Sequence, residues 1–275
     1  MNRKNKAEMI SFVKAHACGN DFLLLEESVT RRNHAALARK LCSRNTSVGA
    51  DGIEFLERRA DGGFFLRLFN ADGSEAELSG NGTRCVAAWL AFHEGLTNVA
   101  LGTHGGPRTC VVLEDRRPVF VIESEMGMPR VMPRTIMLPE VGDVAGAMVN
   151  VGNPHFVVFV ETEDFGAHGL SWQNLGERIS TSPLFPHGTN VEFVRIESEE
   201  EIAFRIYERG CGPTTSSGTG TCASSAAAIA LRGVRRELTA VAQGGIQRTA
   251  WPANDAVMRL TGPAEIVCTG EVWEL

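Results

Sequence analysis

Two short stretches carry residue types and spacing from which chemistry could be built. They are Ser79-Gly80-Asn81-Gly82-Thr83 and its near copy in the second half, Ser217-Gly218-Thr219-Gly220-Thr221. Each is a Gly-rich turn leading into an Ala-rich, Pro-free segment, residues 85–90 in one case and 222–231 in the other. Such a turn at a helix N-terminus exposes unpaired N–H groups at the positive end of the helix dipole, and so attracts an anion. Neither turn is followed by the lysine of a P-loop, so a carboxylate fits better than a nucleotide phosphate. One such turn alone reads as an ordinary helix start with a serine or threonine cap. Here there are two, each with an aromatic ten residues ahead of its serine (Phe69, Tyr207) and a polar residue after that aromatic (Asn70, Glu208). That pairing points to one ligand held from both sides. Groups on opposite faces of one carbon suit inversion of a stereocentre, where a base removes the α-proton and an acid returns it from the other face.

The elements that must position these turns are duplicated as well. Arg67-Leu68-Phe69-Asn70 matches Arg205-Ile206-Tyr207-Glu208, and Gly49-Ala50-Asp51-Gly52-Ile53-Glu54-Phe55 echoes Gly188-Thr189-Asn190-Val191-Glu192-Phe193. Gly19-Asn20-Asp21-Phe22 resembles Gly152-Asn153-Pro154-His155-Phe156. A self-match over half the chain means two copies of one fold, not a solenoid, whose periods run about 20–50 residues. Apolar β-prone runs predict strands at 10–13, 22–25, 53–56 and 64–69, and Ala35, Leu37, Ala38 and Leu41 predict an amphipathic helix over 31–42. The first turn's helix ends at Glu94, with Gly95 as its cap. Strands follow at 111–113 and 119–122, and the Pro-containing stretch 126–139 reads as an inter-domain crossing with its boundary near Pro129. The second half repeats the programme: strand 147–151, turn 152–155, strand 156–160, helix 175–179, strand 202–207, then a β-rich tail at 256–260 and 265–275. Strands on both sides of single long helices predict an α+β protein of two pseudosymmetric domains, each a β-sheet curled around a central helix. The expected domains are 1–128 and 129–265, with a strand at about 266–275 returning to the first.

Bulk properties narrow the class. A chain of 275 residues with 43% hydrophobic and 22% charged residues is globular and long enough for two domains. A formal charge of −6 with no Lys/Arg run gives no reason to expect nucleic acid. No apolar stretch reaches the 18 or so residues of a membrane span, and the basic start lacks the apolar core of a signal peptide. Seven scattered cysteines without a CxxC pair read as reduced thiols in the cytoplasm, with no metal site.

With these residues in view, the chain resembles the diaminopimelate epimerase family. The resemblance rests on Gly19-Asn20-Asp21-Phe22, Gly49-Ala50-Asp51-Gly52, Phe69-Asn70-Ala71-Asp72-Gly73-Ser74 and Gly80-Asn81-Gly82-Thr83-Arg84-Cys85 in the first half. In the second it rests on Gly152-Asn153-Pro154-His155, Thr189-Asn190-Val191-Glu192-Phe193, Glu208-Arg209-Gly210 and Gly218-Thr219-Gly220. It implies two pseudosymmetric domains with the substrate between them and a two-base mechanism without a cofactor, converting LL- to meso-diaminopimelate for lysine and peptidoglycan precursors. By motif, Asn20, Asn70, Gly80, Asn81, Asn153, Asn190, Glu208, Arg209, Gly218 and Thr219 would hold the substrate's amino and carboxylate groups. His155 and Glu208 would sit beside the catalytic pair and help set its protonation. The implied partner is a small amino acid, with no nucleic acid and no membrane, and a homodimer is left open.

One departure matters. The family pattern begins each turn with cysteine, a thiolate base and a thiol acid, whereas this chain has Ser79 and Ser217. A thiol of pKa about 8.5 is readily poised between its two forms at a helix N-terminus. An alcohol about 5 units higher would cost about 7 kcal/mol more to ionise, and a helix dipole supplies at most about 2. A serine therefore needs a neighbour such as Glu208 or His155 to take its proton. Three readings stand: replacements that trap a substrate complex, an enzyme with another substrate or an elimination or dehydration reaction, and amino-acid binding without turnover. Cys18 and Cys211 lie inside the matched motifs but read as small buried fillers, and Cys85 and Cys222 as packed helix residues.

Overall fold

The computed structural model describes residues 9–29 and 33–273. The first half runs β1 (Met9–Ala17), β2 (Asn20–Glu26), α1 (His34–Leu41), β3 (Gly52–Arg58), β4 (Phe64–Asn70), β5 (Glu75–Ala76), α2 (Gly80–Glu94), β6 (Asn98–Gly102), β7 (Arg108–Arg116) and β8 (Val119–Gly127). The second runs β9 (Arg130–Leu138), β10 (Gly142–Asn150), β11 (Pro154–Phe159), α3 (Trp172–Ser180), β12 (Asn190–Ile196), β13 (Glu201–Glu208), β14 (Gly212–Thr214), α4 (Gly218–Arg232), β15 (Glu237–Ala242), β16 (Gly245–Ala250) and β17 (Met258–Trp273).

The pairings repeat. β2 runs parallel to β3 and β11 parallel to β12; β4 runs parallel to β6 and β13 parallel to β15. β8 and β17 carry the chain between the halves and pair antiparallel with each other, from Met258 opposite Gly127 to Glu265 opposite Val119. Beyond that contact β17 continues as the partner of β1, from Glu265 opposite His16 to Trp273 opposite Met9.

Among the described residues the 17 strands form one continuous sheet, and each half of it curls around one helix. Every residue of α2 from Gly80 to Ala91 and of α4 from Gly218 to Ile229 is buried. A helix enclosed on all sides has no polar face to keep, which explains why neither shows amphipathic alternation; α4 is mostly Gly, Ala, Ser and Thr, while α2 also carries Arg84, Val86, Trp89 and Leu90. α1 and α3 instead cover the outer faces of the sheets and bury one stripe each, Leu37, Ala38 and Leu41 in α1 and Leu175 and Ile179 in α3. Both central helices end at a left-handed glycine, Gly95 at φ 71° and Gly233 at φ 69°.

Several expectations need correction. The stretch to Pro139 is largely strand: β9 fills most of it, with Pro133 opposite Ala147 of β10. Proline is tolerated in a strand where its nitrogen is not asked to donate to the ladder. His155 is not in a turn but on β11, opposite Val149 of β10 and Asn190 of β12. The tail is one strand without a break at Gly262-Pro263, and residues 274 and 275 of the expected tail lie outside the described residues. So do residues 31 and 32 of the expected first helix, which is observed from His34 with Asn33 capping the Ala36 N–H at 3.1 Å.

Candidate active site

The N-termini of α2 and α4 meet. A Cβ added to Gly218 would stand 2.9 Å from Gly80 Cα, and one added to Gly80 would stand 3.2 Å from Gly218 Cα. Only hydrogen at both positions allows this approach. Gly218→Ala is expected to wedge the helices apart at a cost of about 1–3 kcal/mol, lowering the thermal unfolding midpoint and weakening ligand binding; an unchanged midpoint would show that the helices need not touch.

Ser79 and Ser217 are the N-cap residues, both with extended backbone. Ser79 Oγ accepts the Gly82 N–H at 3.0 Å and Ser217 Oγ accepts the Gly220 N–H at 3.3 Å. Thr83 and Thr221 donate their hydroxyls back to the Ser79 and Ser217 carbonyls at 3.1 and 2.8 Å. Both serines open onto one cleft of about 810 Å³ between the halves. Every candidate residue taken from the sequence lines it except His155.

On the first half's wall the amides are locked in series. Arg84, fully buried, donates to Asn81 Oδ1 at 2.6 Å and to the Gly80 carbonyl at 3.1 Å. With its oxygen committed, Asn81 turns its Nδ2 to Asn20 Oδ1 (3.2 Å), and Asn20 turns its Nδ2 to Asp51 Oδ2 (2.7 Å). Arg44 then bridges Asp51 and Asp21 at 2.7 Å each, with Lys14 on Asp21 at 3.0 Å. Partial burial opposes the charge on Asp21, but Arg44 and Lys14 outweigh it and hold the carboxyl below its usual range. Gln247 ties the halves together: its Oε1, 2.5 Å from Thr221 Oγ1, shares that hydroxyl's one proton with the Ser217 carbonyl, and its Nε2 donates to Asn81 Oδ1 at 3.4 Å. Asn70 donates through Nδ2 to Ser74 Oγ at 3.0 Å.

On the second wall Glu208 takes the place that Asn70 has on the first. It accepts from Thr214 Oγ1 at 2.5 Å. Burial raises its carboxyl above the usual range; Thr214, His155 and the Ser217 hydroxyl oppose that shift, and Glu192 adds to it. Asn190 accepts the Arg209 N–H (2.9 Å) and donates to the Pro154 carbonyl (3.1 Å), which fixes the loop carrying Arg209. Asn153 donates to Thr219 Oγ1 at 3.3 Å and accepts from His155 Nε2 at 2.8 Å. His155 lies behind Asn153, buried, with Nδ1 2.6 Å from the equally buried Glu192 Oε1. The ring thus orients Asn153 and does not face the cleft.

The sequence reading missed Arg44, whose loop carries no recognisable motif. It also passed over Glu54 and Arg84, although a glutamate inside the apolar run 53–56 and an arginine in an Ala-rich helix were visible signals. Cys211 corrects another expectation: it is exposed on the cleft wall, while Cys18, Cys85 and Cys222 are buried. Desolvation first, and the Glu208 charge second, hold the Cys211 thiol above its usual value.

Two copies of one α+β unit, with helix N-termini facing a single cleft, make a fold shared with solved structures of a racemase, an epimerase and a PhzF-family protein. A probable proline racemase from Agrobacterium radiobacter with bound carbonate superposes with a TM-score of 0.73 at 18% identity, over 97% of this chain and 93% of that one. A hydroxyproline epimerase from Agrobacterium vitis with bound trans-4-hydroxy-L-proline gives 0.72 at 14%, over 100% and 94%. A PhzF-family protein from Bacillus anthracis gives 0.72 at 15%, over 96% and 99%.

Within that fold the sequence is more specific. The family model described as diaminopimelate epimerase matches both halves, residues 12–132 and 147–267. Curated proteins named diaminopimelate epimerase from Pelotomaculum thermopropionicum and Desulforudis audaxviator are 36% and 37% identical, over 94% and 95% of this chain and 98% and 99% of their own lengths. The chain belongs to the diaminopimelate epimerase family. Among the described residues no helix is long and apolar enough to cross a membrane.

Proposed function

We propose that the protein is a cytoplasmic, cofactor-independent epimerase that inverts the α-carbon of a free amino acid of the diaminopimelate type, LL to meso. The observation that carries this reading is the facing pair of N-cap serines on helices that touch at Gly80 and Gly218. The cleft between them is lined by fixed amides and by Arg209. The substrate's α-carboxylate sits at the two N-termini, where the backbone N–H groups and both dipoles favour it. Ser217 Oγ takes the α-proton as its own proton passes to the Glu208 carboxylate; Ser79 Oγ–H returns a proton to the opposite face. Asn20, Asn70, Asn81, Asn153, Asn190, Glu208, Arg209 and Thr219 bind and orient the substrate, and His155 acts through Asn153. A homodimer is the assembly to test, by light scattering.

The serines favour a second reading. Without cysteine at either cap the site could serve another substrate or an elimination, or hold an amino acid without turnover. Incubation with LL-diaminopimelate in D2O separates the two. Deuterium at the α-carbon together with meso product supports the epimerase; binding without any α-deuterium, for this and other free amino acids, overturns it.

A further inference from the structure

Glu54 is a buried carboxyl without an evident structural task. It lies on β3 between Leu24 of β2 and Leu68 of β4, and its residue is fully buried. Neither carboxyl oxygen has a hydrogen-bond partner among the described residues. Leaving such a group unpaired is unfavourable, so an apolar side chain would serve the fold better.

The duplication shows what is different about it. Glu192 occupies the corresponding place on β12, beneath the N-terminal turn of α4, where a Cβ on Gly220 would lie 3.0 Å from its Oε1. His155, on the neighbouring strand and opposite Asn190, pairs with Glu192 Oε1, whereas Glu54 has no such partner on either oxygen among the described residues. In the first half the residue opposite Gly52, in the equivalent register, is Phe22. The partner of Glu54 has been replaced by a ring that cannot exchange a proton. Across the site the exchange is matched by another, since Glu208 behind Ser217 corresponds to Asn70, an amide, behind Ser79.

Glu54 also sits where Ser79 needs help. A Cβ on Gly82 would stand 1.8 Å from Glu54 Oε1 and 3.2 Å from Ser79 Cβ. The carboxyl oxygen therefore fills the space that a side chain at 82 would take, beside the Ser79 Cβ. We propose that Glu54 is the proton source behind Ser79, a positioning and relay residue that makes the first-half serine the acid of the pair. This rests on the epimerase reading. Ser79 Oγ–H gives its proton to the carbanion at the α-carbon and forms the new C–H bond; Glu54 Oε–H, turned across Gly82, gives its proton to Oγ. Ser79 ends as a hydroxyl and Glu54 as a carboxylate, while Glu208 holds the proton removed through Ser217. The reverse reaction, or exchange with solvent, restores both.

The surroundings agree. Among the described residues the elements packed on Glu54 present Leu24, Leu68, Gly82 and Cys85 and no cation that stabilises its charge, and burial holds the carboxyl well above its usual range, in the protonated form an acid needs.

The test uses the full chain and three proteins: wild type, Glu54→Gln, which keeps shape but carries no transferable acid proton, and Glu54→Leu, which removes the polar group and guards against loss of fold. Each is folded by circular dichroism and assayed with LL- and meso-diaminopimelate in D2O. Both variants are expected to lose inversion by about 100-fold or more with KM changed less than about twofold, and to lose the alkaline limb of the pH–rate profile. Deuterium should still enter, with retention of configuration, the centre deprotonated on the Ser217 side. Exchange without inversion is something a merely structural residue would not produce. Wild-type inversion rates and pH profile in either folded variant, or equal loss of exchange and inversion, overturn the role of Glu54 alone. Wild-type protein that exchanges no α-proton overturns the epimerase reading and this assignment with it.

Discussion

Ser79→Cys combined with Ser217→Cys raises α-proton exchange by about 10³-fold or more, because it removes most of an ionisation cost of about 7 kcal/mol between alcohol and thiol. The geometry is already prepared for a thiolate. At each cap the side-chain atom accepts one backbone N–H, Gly82 or Gly220, and sits at the positive end of a helix of 15 residues. That environment lowers a thiol pKa but is too weak to ionise a hydroxyl. Each single cysteine should give a smaller gain, since a two-face transfer is limited by its poorer partner. The double variant should also lose its dependence on Glu54, because a thiol needs no relay to give up a proton. A double variant that binds diaminopimelate yet exchanges no α-proton would mean that the substrate is another amino acid.

Why so much of this site was legible in the sequence follows from what the turns demand. Gly80 and Gly218 are required by a backbone contact between the halves, Gly82 and Gly220 by carboxylates beneath the first turn, and Ser79 and Ser217 by capping; each demand falls on a turn residue whose type shows in the sequence. The duplication of the fold was visible for the same reason, since turn chemistry survives where core residues drift. What stayed hidden depends on register. Whether His155 stands in a turn or on a strand is fixed by its pairing with Asn190, 35 residues away in the chain. That Phe22 takes the place in the first half that His155 has in the second becomes apparent only when β2–β3 is laid on β11–β12. β6, β15 and β16 escaped notice because Asn98–Gly102, Glu237–Ala242 and Gly245–Ala250 are short and alternate around Gly, Thr and Ala. Arg44 could not be placed because its loop reaches the cleft through ion pairs to Asp21 and Asp51, which no local spacing encodes.

Glu208→Gln is expected to lower exchange by about 10²- to 10⁴-fold with little change in KM, the scale of losing a general base. The amide keeps an oxygen to accept from Thr214 Oγ1, so substrate contacts and loop geometry persist while the proton acceptor behind Ser217 is gone. In the wild type the base form is the carboxylate, and burial is the leading cause that raises its pKa. Activity should therefore rise with pH along a limb displaced above the ordinary glutamate value of about 4.3, and Glu208→Gln should lack that limb. Stability moves in the opposite sense. Below about pH 4.3 the carboxyl is neutral in folded and unfolded chains alike; as pH rises, the unfolded chain ionises first, so the raised folded-state pKa costs stability up to that pKa. The neutral glutamine escapes this cost, so the gap in thermal midpoint between Glu208→Gln and wild type should widen from pH 4 to pH 8. A base role and a buried charge predict the two measurements together. If Glu208→Gln keeps wild-type exchange while the stability gap still widens, Glu208 is an uncomfortable structural carboxyl and Ser217 must hand its proton elsewhere.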